Sequence, residues 1–184
     1  MSEVALATAE PATVPNEPAV VDGGRVAVSR HLALVEPEAY SSGLVGEEIS
    51  VLSHISQGNT LGQVAEELGV GKDEVIYWRG NAMSKYRSGS VTATVNEALR
   101  DGSIPVEVSP DPETAARLTP LDKRVLELYA KGVTNHDLAG QIGKPVKVVE
   151  RYHDGLLERI GAWKRPHAMR RMYELGIWQT DQSH

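Results

Sequence analysis

Apolar residues in the C-terminal third of the chain recur three and four positions apart, in short blocks that each end near a glycine. That spacing places them on one face of a helix, and a glycine that accepts positive φ commonly ends one. Thr119 with Pro120, Thr134 and Pro145 stand where such helices would begin. The pattern therefore predicts four short helices in residues 118–178. The predicted helices stop at Gly132, Gly143, Gly161 and Gly176.

The same pattern occurs 74 residues earlier, without a gap in the alignment. The coinciding pairs are Leu44 and Leu118, Val51 and Val125, Leu52 and Leu126, Gly58 and Gly132, Thr60 and Thr134, Ala65 and Ala139, Gly69 and Gly143, Val75 and Val149, Gly102 and Gly176. These are turn, cap and core positions, where a shared fold requires shared residues. We therefore predict an all-α fold in which residues 44–104 and 118–178 are two copies of one four-helix module. In each copy, a short helix, a tight turn and a longer third helix follow the order of a helix-turn-helix.

The segments outside the two copies have different compositions. Residues 1–43 are rich in Ala, Val, Pro and Glu, so we expect a largely disordered arm, with a short docked element in residues 26–35 as the alternative. Residues 105–117 contain three prolines in their first eight positions, which predicts a stiff, extended linker. Such a linker could span ~43 Å, more than the ~34–36 Å of one turn of B-DNA. Residues 179–184 form a short tail.

Composition narrows the classes of protein. The chain has no cysteine, which excludes disulfides and zinc-thiolate sites and fits a reducing cytoplasm. It shows neither an apolar run long enough for a membrane span nor the pattern of a secretory signal, so we expect no membrane association. No Gly-rich phosphate loop or nucleophile arrangement appears, and the histidines are not grouped at ligand spacing. We therefore expect no enzyme, no cofactor and no metal site.

Charge is distributed unevenly between the copies. The net charge is −6, but residues 118–178 contain 11 basic and 7 acidic residues and carry +4. Residues 44–104 contain 5 basic and 8 acidic residues and carry −3. Only the second copy has the sign expected for a polyanion partner, and the acidic total predicts weak non-specific affinity for DNA.

Residues 118–178 resemble the LuxR-type (GerE-like) helix-turn-helix family over the full family domain, and residues 44–104 resemble it through the repeat. The matching residues are Leu118-Thr119-Pro120, Val125-Leu126, Gly132-Val133-Thr134-Asn135, Leu138-Ala139, Ile142-Gly143, Val149, Leu156-Leu157, Ile160-Gly161, Ala168 and Leu175-Gly176-Ile177. The fourth helix distinguishes this pattern from the C-terminal region of sigma factors. The resemblance implies sequence-specific binding of double-stranded DNA with the third helix in the major groove. Two copies in one chain look like a covalent pseudo-dimer, which would act as a cytoplasmic, nucleoid-associated transcription regulator.

The third helices depart from the family at the positions that usually read bases. Those positions are Glu150, Arg151 and Asp154 in the second copy and Ile76, Tyr77 and Gly80 in the first. A carboxylate is repelled by phosphate, although it can accept a hydrogen bond from cytosine. The departures leave an alternative open. In that alternative, the same fold binds another transcription factor, the transcription machinery or a second copy of itself instead of DNA.

The candidate DNA contacts are basic and polar residues on or beside the third and fourth helices. They are Lys144, Lys147, Arg151, His153, Lys164, Arg165 and His167 in the second copy, and Lys72, Tyr77, Arg79, Lys85 and Arg87 in the first. The plainer interpretation of these charges is a solvated basic surface. We expect Trp78 and Tyr152, at equivalent positions, to be core residues. The acidic pairs Glu47-Glu48 and Glu66-Glu67 are expected on solvated helix faces.

Overall fold

A computed structural model describes residues 43–181, and within that range the secondary structure is entirely helical. The all-α prediction is therefore confirmed for this part of the chain. The predicted arm lies outside the described residues except for Gly43, as do the last three residues of the tail. The helices are α1 (Gly46–Ser56), α2 (Leu61–Leu68), α3 (Lys72–Lys85), α4 (Val91–Arg100), α5 (Pro112–Arg117), α6 (Pro120–Ala130), α7 (Asn135–Ile142), α8 (Val146–Arg159) and α9 (Arg165–Glu174).

Helices α1–α4, the N-terminal helix set, have the same lengths as α6–α9, the C-terminal helix set. The four lengths are 11, 8, 14 and 10 residues in both. Every first and last residue of the C-terminal set lies 74 positions after its counterpart in the N-terminal set. The offset found in the sequence is thus also the offset of the helix boundaries.

Local capping explains why the second helix of each set begins and ends where it does. Thr60 and Thr134 accept hydrogen bonds from the backbone N–H three residues later, in capping boxes closed by Gln63 and Asp137. The same helices end at Gly69 and Gly143, which have φ of 69° and 64°. A side chain at either position would be strained in this left-handed conformation, so both ends are encoded locally.

A buried acid and a base at the end of the third helix join the first and third helices of each set. The N-terminal pair is Glu48 and Lys85, with 2.6 Å between Oε2 and Nζ. The C-terminal pair is Asp122 and Arg159, and both of its members lie 74 positions after their counterparts. Glu48 is only 2% exposed, so the prediction of a solvated face for Glu47-Glu48 was wrong at this residue. The periodicity of α1 does not reveal this burial because the partner cation is 37 residues away.

The Asp122 carboxylate has further partners. It accepts hydrogen bonds from the Thr119 backbone and hydroxyl, the Tyr152 hydroxyl and the Arg159 guanidinium. Burial opposes its charge, but these donors outweigh burial and lower the pKa of Asp122. Tyr152, expected in the core, is instead half-buried, and burial together with Asp122 raises its pKa to about 12. Its counterpart Trp78 is also half-buried against the core.

The two sets pack through their first and fourth helices around one continuous apolar core. Helix α4 lies against α9, and each of these two helices also contacts the first helix of the other set. The contacts are reciprocal at the turn glycines. A Cβ built on Gly132 would lie 3.6 Å from the Ala93 Cβ, and a Cβ built on Gly58 would lie 3.6 Å from the His167 Cβ. Ala93 and His167 are themselves 74 residues apart, so the inter-set packing follows the repeat.

The linker is not extended along its whole length. Helix α5 occupies its C-terminal half, where Asp111 caps the helix and Pro112 takes the first turn. The preceding segment docks on the C-terminal set, because the Ser109 N–H donates to the Glu174 carbonyl at 2.7 Å. The tail makes a similar bond, from the Asp181 N–H to the Arg100 carbonyl at 2.6 Å. The prolines limit the backbone of residues 105–112, but only tertiary contacts determine where it lies.

Candidate nucleic-acid interface

Helices α7 and α8 are joined by a turn of three residues and pack against each other. Gly143 turns the chain in the left-handed conformation, and Pro145 caps α8. Leu138 and Ala139 on α7 and Val149 on α8 are buried in the core. These apolar contacts fix the inner face of α8, so its opposite face is turned to solvent.

Three of the candidate cations lie on that exposed side of the second set. Lys144, Lys147 and Arg151 are exposed, and none makes an ion pair with any residue in the range 43–181. Lys147 and Arg151 are four residues apart, so they share one face of α8. Lys144 lies in the turn before α8, three residues before Lys147. We call these three residues the cation stripe. The surface around the cation stripe also contains acidic residues, because Glu150 and Asp154 are exposed on the same helix.

His153 is on α8 but does not point freely to solvent. It is half-buried, its ring meets the Tyr129 ring edge-on at 5.2 Å, and its Nδ1 is buried without a hydrogen-bond partner. Burial, and then the nearby Arg165 guanidinium, lower the pKa of His153. The imidazole is therefore neutral at pH 7 and packs between α8 and α6. This placement gives it no accessible charge for a phosphate.

The candidates beside the fourth helix of the C-terminal set have partners within the chain. Lys164 donates from Nζ to the Gly58 carbonyl at 3.0 Å, across the boundary between the sets. Arg165 lies over the Tyr129 ring at 4.3 Å and donates to a backbone carbonyl. His167 accepts a hydrogen bond from the Trp163 backbone, and burial lowers its pKa. These three side chains therefore stabilise packing, and their contact with DNA remains a prediction.

The N-terminal candidates are divided in the same way. Lys72, Tyr77 and Arg87 are exposed. Lys85 is held by Glu48 and by the Gly43 carbonyl. Arg79 is half-buried with its Nε buried and without a partner, and it occupies the position equivalent to His153. The first set thus offers fewer free cations than its sequence indicated.

The interface can supply charge from exposed side chains among residues 43–181. No group of three or more His, Cys, Asp or Glu side chains in this range is placed to hold a metal ion. None of the helices in the described part of the chain has the length and apolarity needed to traverse a bilayer. Searches against protein-family models, curated proteins and solved structures returned no match to this chain.

Sequence reasoning missed two features of the site. The first is the pairing of Asp122 with Tyr152 and Arg159. These bonds join the middle and the C-terminal end of α8 to the first turn of α6. A usable signal was present, because an acid at position 48 or 122 recurs with a base at position 85 or 159. The second is the internal use of Arg165 and His167. No sequence signal marks that use, because it depends on Arg165 packing against Tyr129 of α6 and on His167 packing beside the Gly58 turn.

Proposed function

We propose that this protein is a transcription regulator that binds double-stranded DNA through tandem LuxR-like helix-turn-helix modules. The C-terminal set is the main DNA-binding module in this proposal, with α8 in the major groove. The observation that supports it best is the cation stripe: three exposed cations, two on α8 and one in the turn before it, that make no ion pair with residues 43–181. The protein acts in the cytoplasm, on the nucleoid.

The stripe suits the two kinds of contact that DNA recognition needs. Lys144 and Lys147 stand at the start of α8, where an ammonium and the helix N-terminus both favour a phosphate. Arg151 lies one turn further along and can form two hydrogen bonds with guanine in the major groove. Glu150 beside it accepts from the amino group of cytosine and disfavours other bases at that position. Affinity then comes from the lysines and sequence preference from Arg151 and Glu150.

A binding experiment with matched variants tests this assignment. Genomic fragments are selected on the full chain at low salt, and affinity for the best fragment is then measured across salt concentrations. Replacing Lys144 or Lys147 with Ala should lower the slope of log affinity against log salt by about 1 each. Arg151→Ala should weaken binding and relax sequence preference by about 1–3 kcal/mol. Lys123→Ala, an exposed cation of α6 outside the stripe, is the control and should change little.

Two results would contradict the DNA assignment. One is the absence of any sequence-selective, salt-sensitive complex at micromolar protein. The other is an equal loss of affinity in the Lys123→Ala control, which would show that binding follows total charge and not the stripe.

A second candidate function rests on the outward surface of α3. Ile76 and Tyr77 are exposed there, with Tyr77 64% accessible, and Asp73 and Glu74 lie one turn earlier. An apolar and acidic helix face suits a protein partner better than a phosphate backbone. In this alternative, the N-terminal set binds another transcription factor or the transcription machinery. A photo-crosslinker at position 77 should then capture a protein in cells, with a yield that nuclease does not reduce and that Ile76→Lys abolishes.

A further inference from the structure

A groove of about 1110 Å³ separates the two helix sets on one side of their contact. It is bounded by the loop between α3 and α4, the first turns of α4, the end of α6 and the segment after α9. We call it the inter-set groove. Its walls come from both sets, so its shape depends on their packing. Its volume is sufficient for a small organic molecule.

Across the repeat, the turn at Gly58 takes the place of the turn at Gly132, which lines the groove. A Cβ on Gly58 would lie 3.0 Å from Trp163 Cδ1 and 3.3 Å from His167 Nδ1. The indole and the imidazole therefore lie over this turn, with ring centroids 6.5 Å apart. The indole remains 78% exposed, so the two rings cover the Gly58 turn at the surface and do not fill an enclosed cleft.

Across the repeat, Gly89 takes the place of Trp163 and Ala93 takes the place of His167. Both line the inter-set groove, beside the turn at Gly132. A side chain at Gly89 would meet nothing within 4 Å, so backbone crowding does not require glycine there. The space that two aromatic rings occupy on one side is thus open on the other.

Aromatic side chains still form the wall of the groove. Tyr173 and Trp178 both line it and meet edge to face, with centroids 5.8 Å apart. Tyr173 is buried, with its hydroxyl 3.4 Å from Asn96 Oδ1, and burial raises its pKa to about 12. Tyr173 is therefore uncharged at neutral pH and lies behind the Trp178 ring, which is the half-exposed aromatic surface of the wall. A flat apolar ring can pack against it.

The charged residues that line the groove are three cations, Arg87, Arg100 and Lys131, and two carboxylates, Glu97 and Glu127. Arg100 is paired with Glu97 and Asp181, and Glu127 is paired with Arg124. Arg87 and Lys131 make no ion pair within residues 43–181, and these two cations favour an anion. Arg87 is in addition the one non-glycine residue of this range with positive φ, at 50°.

We propose that the inter-set groove is a binding site for a small organic anion with a flat aromatic body. The ring packs against the half-exposed Trp178, in the space left by Gly89 and Ala93. The acidic group of the ligand is bound by Arg87 and Lys131. No residue of the cation stripe lines the groove, so the proposal holds whether or not the chain binds DNA.

Two probes that share one ring test the proposal. The full chain, labelled with ¹⁵N, is titrated with 1-naphthylacetate and separately with 2-(1-naphthyl)ethylammonium, while amide shifts are recorded. The anion should give saturable shifts at groove residues and bind at least about tenfold more tightly than the cation. Arg87→Gln and Lys131→Gln should each weaken the anion several-fold. Lys123→Gln, which does not line the groove, should leave its affinity unchanged.

A filling variant gives an independent measurement. Gly89→Trp gives the Gly132 turn the ring that Trp163 places over the Gly58 turn. It should abolish binding of the anion, with the remaining amide spectrum showing that the chain is folded. The proposal is overturned if the two probes bind equally, if the Lys123→Gln control loses as much affinity as the groove variants, or if millimolar anion shifts no groove amide. Should Gly89→Trp fail to fold, the Arg87 and Lys131 variants decide the result.

Discussion

Helices α3 and α8 have the same length and the same position in their sets, yet their outward residues share almost no chemistry. At the positions equivalent to the three residues of the cation stripe, the first copy has an apolar, an acidic and an aromatic residue. The equivalent pairs are Lys144 and Val70, Lys147 and Asp73, and Arg151 and Tyr77. The buried sides, in contrast, keep Val75 and Val149 and the same acid–base pair. Packing therefore constrains the inner face, while the outer face has been free to take a different partner.

The surfaces beside the two turn glycines show the same freedom. Trp163 and His167 lie over the turn at Gly58, whereas their counterparts Gly89 and Ala93 leave room beside the turn at Gly132. Neither choice changes the contact of the turn glycine with the fourth helix, which is present on both sides. A repeat can thus preserve its interface and still differ in the site beside it. Four experiments, described in order of expected effect, test how far this difference extends.

Exchanging outward residues between the third helices should have the largest effect. Lys147→Asp with Arg151→Tyr gives α8 the residues of α3, and we expect it to weaken DNA binding by about 4 kcal/mol, or roughly 1000-fold. The reverse change, Asp73→Lys with Tyr77→Arg, should raise the salt slope of the full chain by up to about 2. Affinity across salt concentrations is the measurement. Equal affinity of all three proteins would mean that the third helices do not contact DNA.

Removing the buried acid tests whether the shared scaffold is equally strong in both sets. Asp122→Ala should lower the free energy of unfolding by about 3 kcal/mol, because it leaves Arg159 without its partner and removes the acceptor of the Thr119 N–H and hydroxyl. Glu48→Ala should cost less, since Glu48 accepts from Lys85 and the Val45 backbone, whereas Asp122 accepts from three residues. Urea unfolding at pH 7 compares them. Because the pKa of Asp122 is lowered by folding, its contribution is present above the unfolded pKa and is lost as pH falls below it. A larger loss for Glu48→Ala would reverse the ranking.

Adding a methyl group at the turn glycines tests the contact between the sets. A Cβ on Gly132 would lie 2.8 Å from the Ser90 Cβ, and φ there is 81°. We expect Gly132→Ala to cost about 2 kcal/mol, from the left-handed conformation and the clash together. Gly69→Ala is the control, because φ is also positive there but the space is open. Thermal unfolding should show the larger decrease for Gly132→Ala. Equal decreases would show that the α4 contact adds nothing.

The smallest effect concerns the buried histidine of α8. Burial lowers the pKa of His153, so the unfolded chain takes up a proton before the folded one as the pH falls. Its contribution to stability is therefore constant above the unfolded pKa and declines below it, by at most about 1.4 kcal/mol per pH unit. His153→Gln should flatten the decline in stability between pH 7 and pH 5, while His136→Gln, at an exposed residue, should not. An unchanged pH profile would mean that folding does not lower the pKa of His153.

Much of the fold followed from local sequence signals. Thr60, Thr134, Gly69 and Gly143 are caps that act within a few residues, so the helices they bound lie where the pattern predicted. The extended linker was wrong in its second half, because Asp111 with Pro112 starts a helix there. The prolines of the linker favour extended backbone, but Asp111 followed by Pro112 also fits the capping pattern found at the start of other helices in the chain.

The candidate site was less predictable than the fold. Lysine and arginine are recognisable in any sequence, but whether each is free depends on contacts far along the chain. Arg165 lies over Tyr129, 36 positions away, and Lys164 reaches Gly58, 106 positions away. Periodicity contains no information about such partners, because it describes which face of one helix is apolar and nothing about the neighbour.

The sequence by itself determined where the helices begin and end, that their order repeats after 74 residues, and that positive charge is concentrated in the second copy. Those properties depend on backbone preference and side-chain spacing within a few turns. Only the tertiary structure decided which cations remain exposed, which carboxylates are buried, and beside which of two equivalent turns a groove is open. These depend on residues brought together by packing, because a charge or a cavity is defined by what surrounds it.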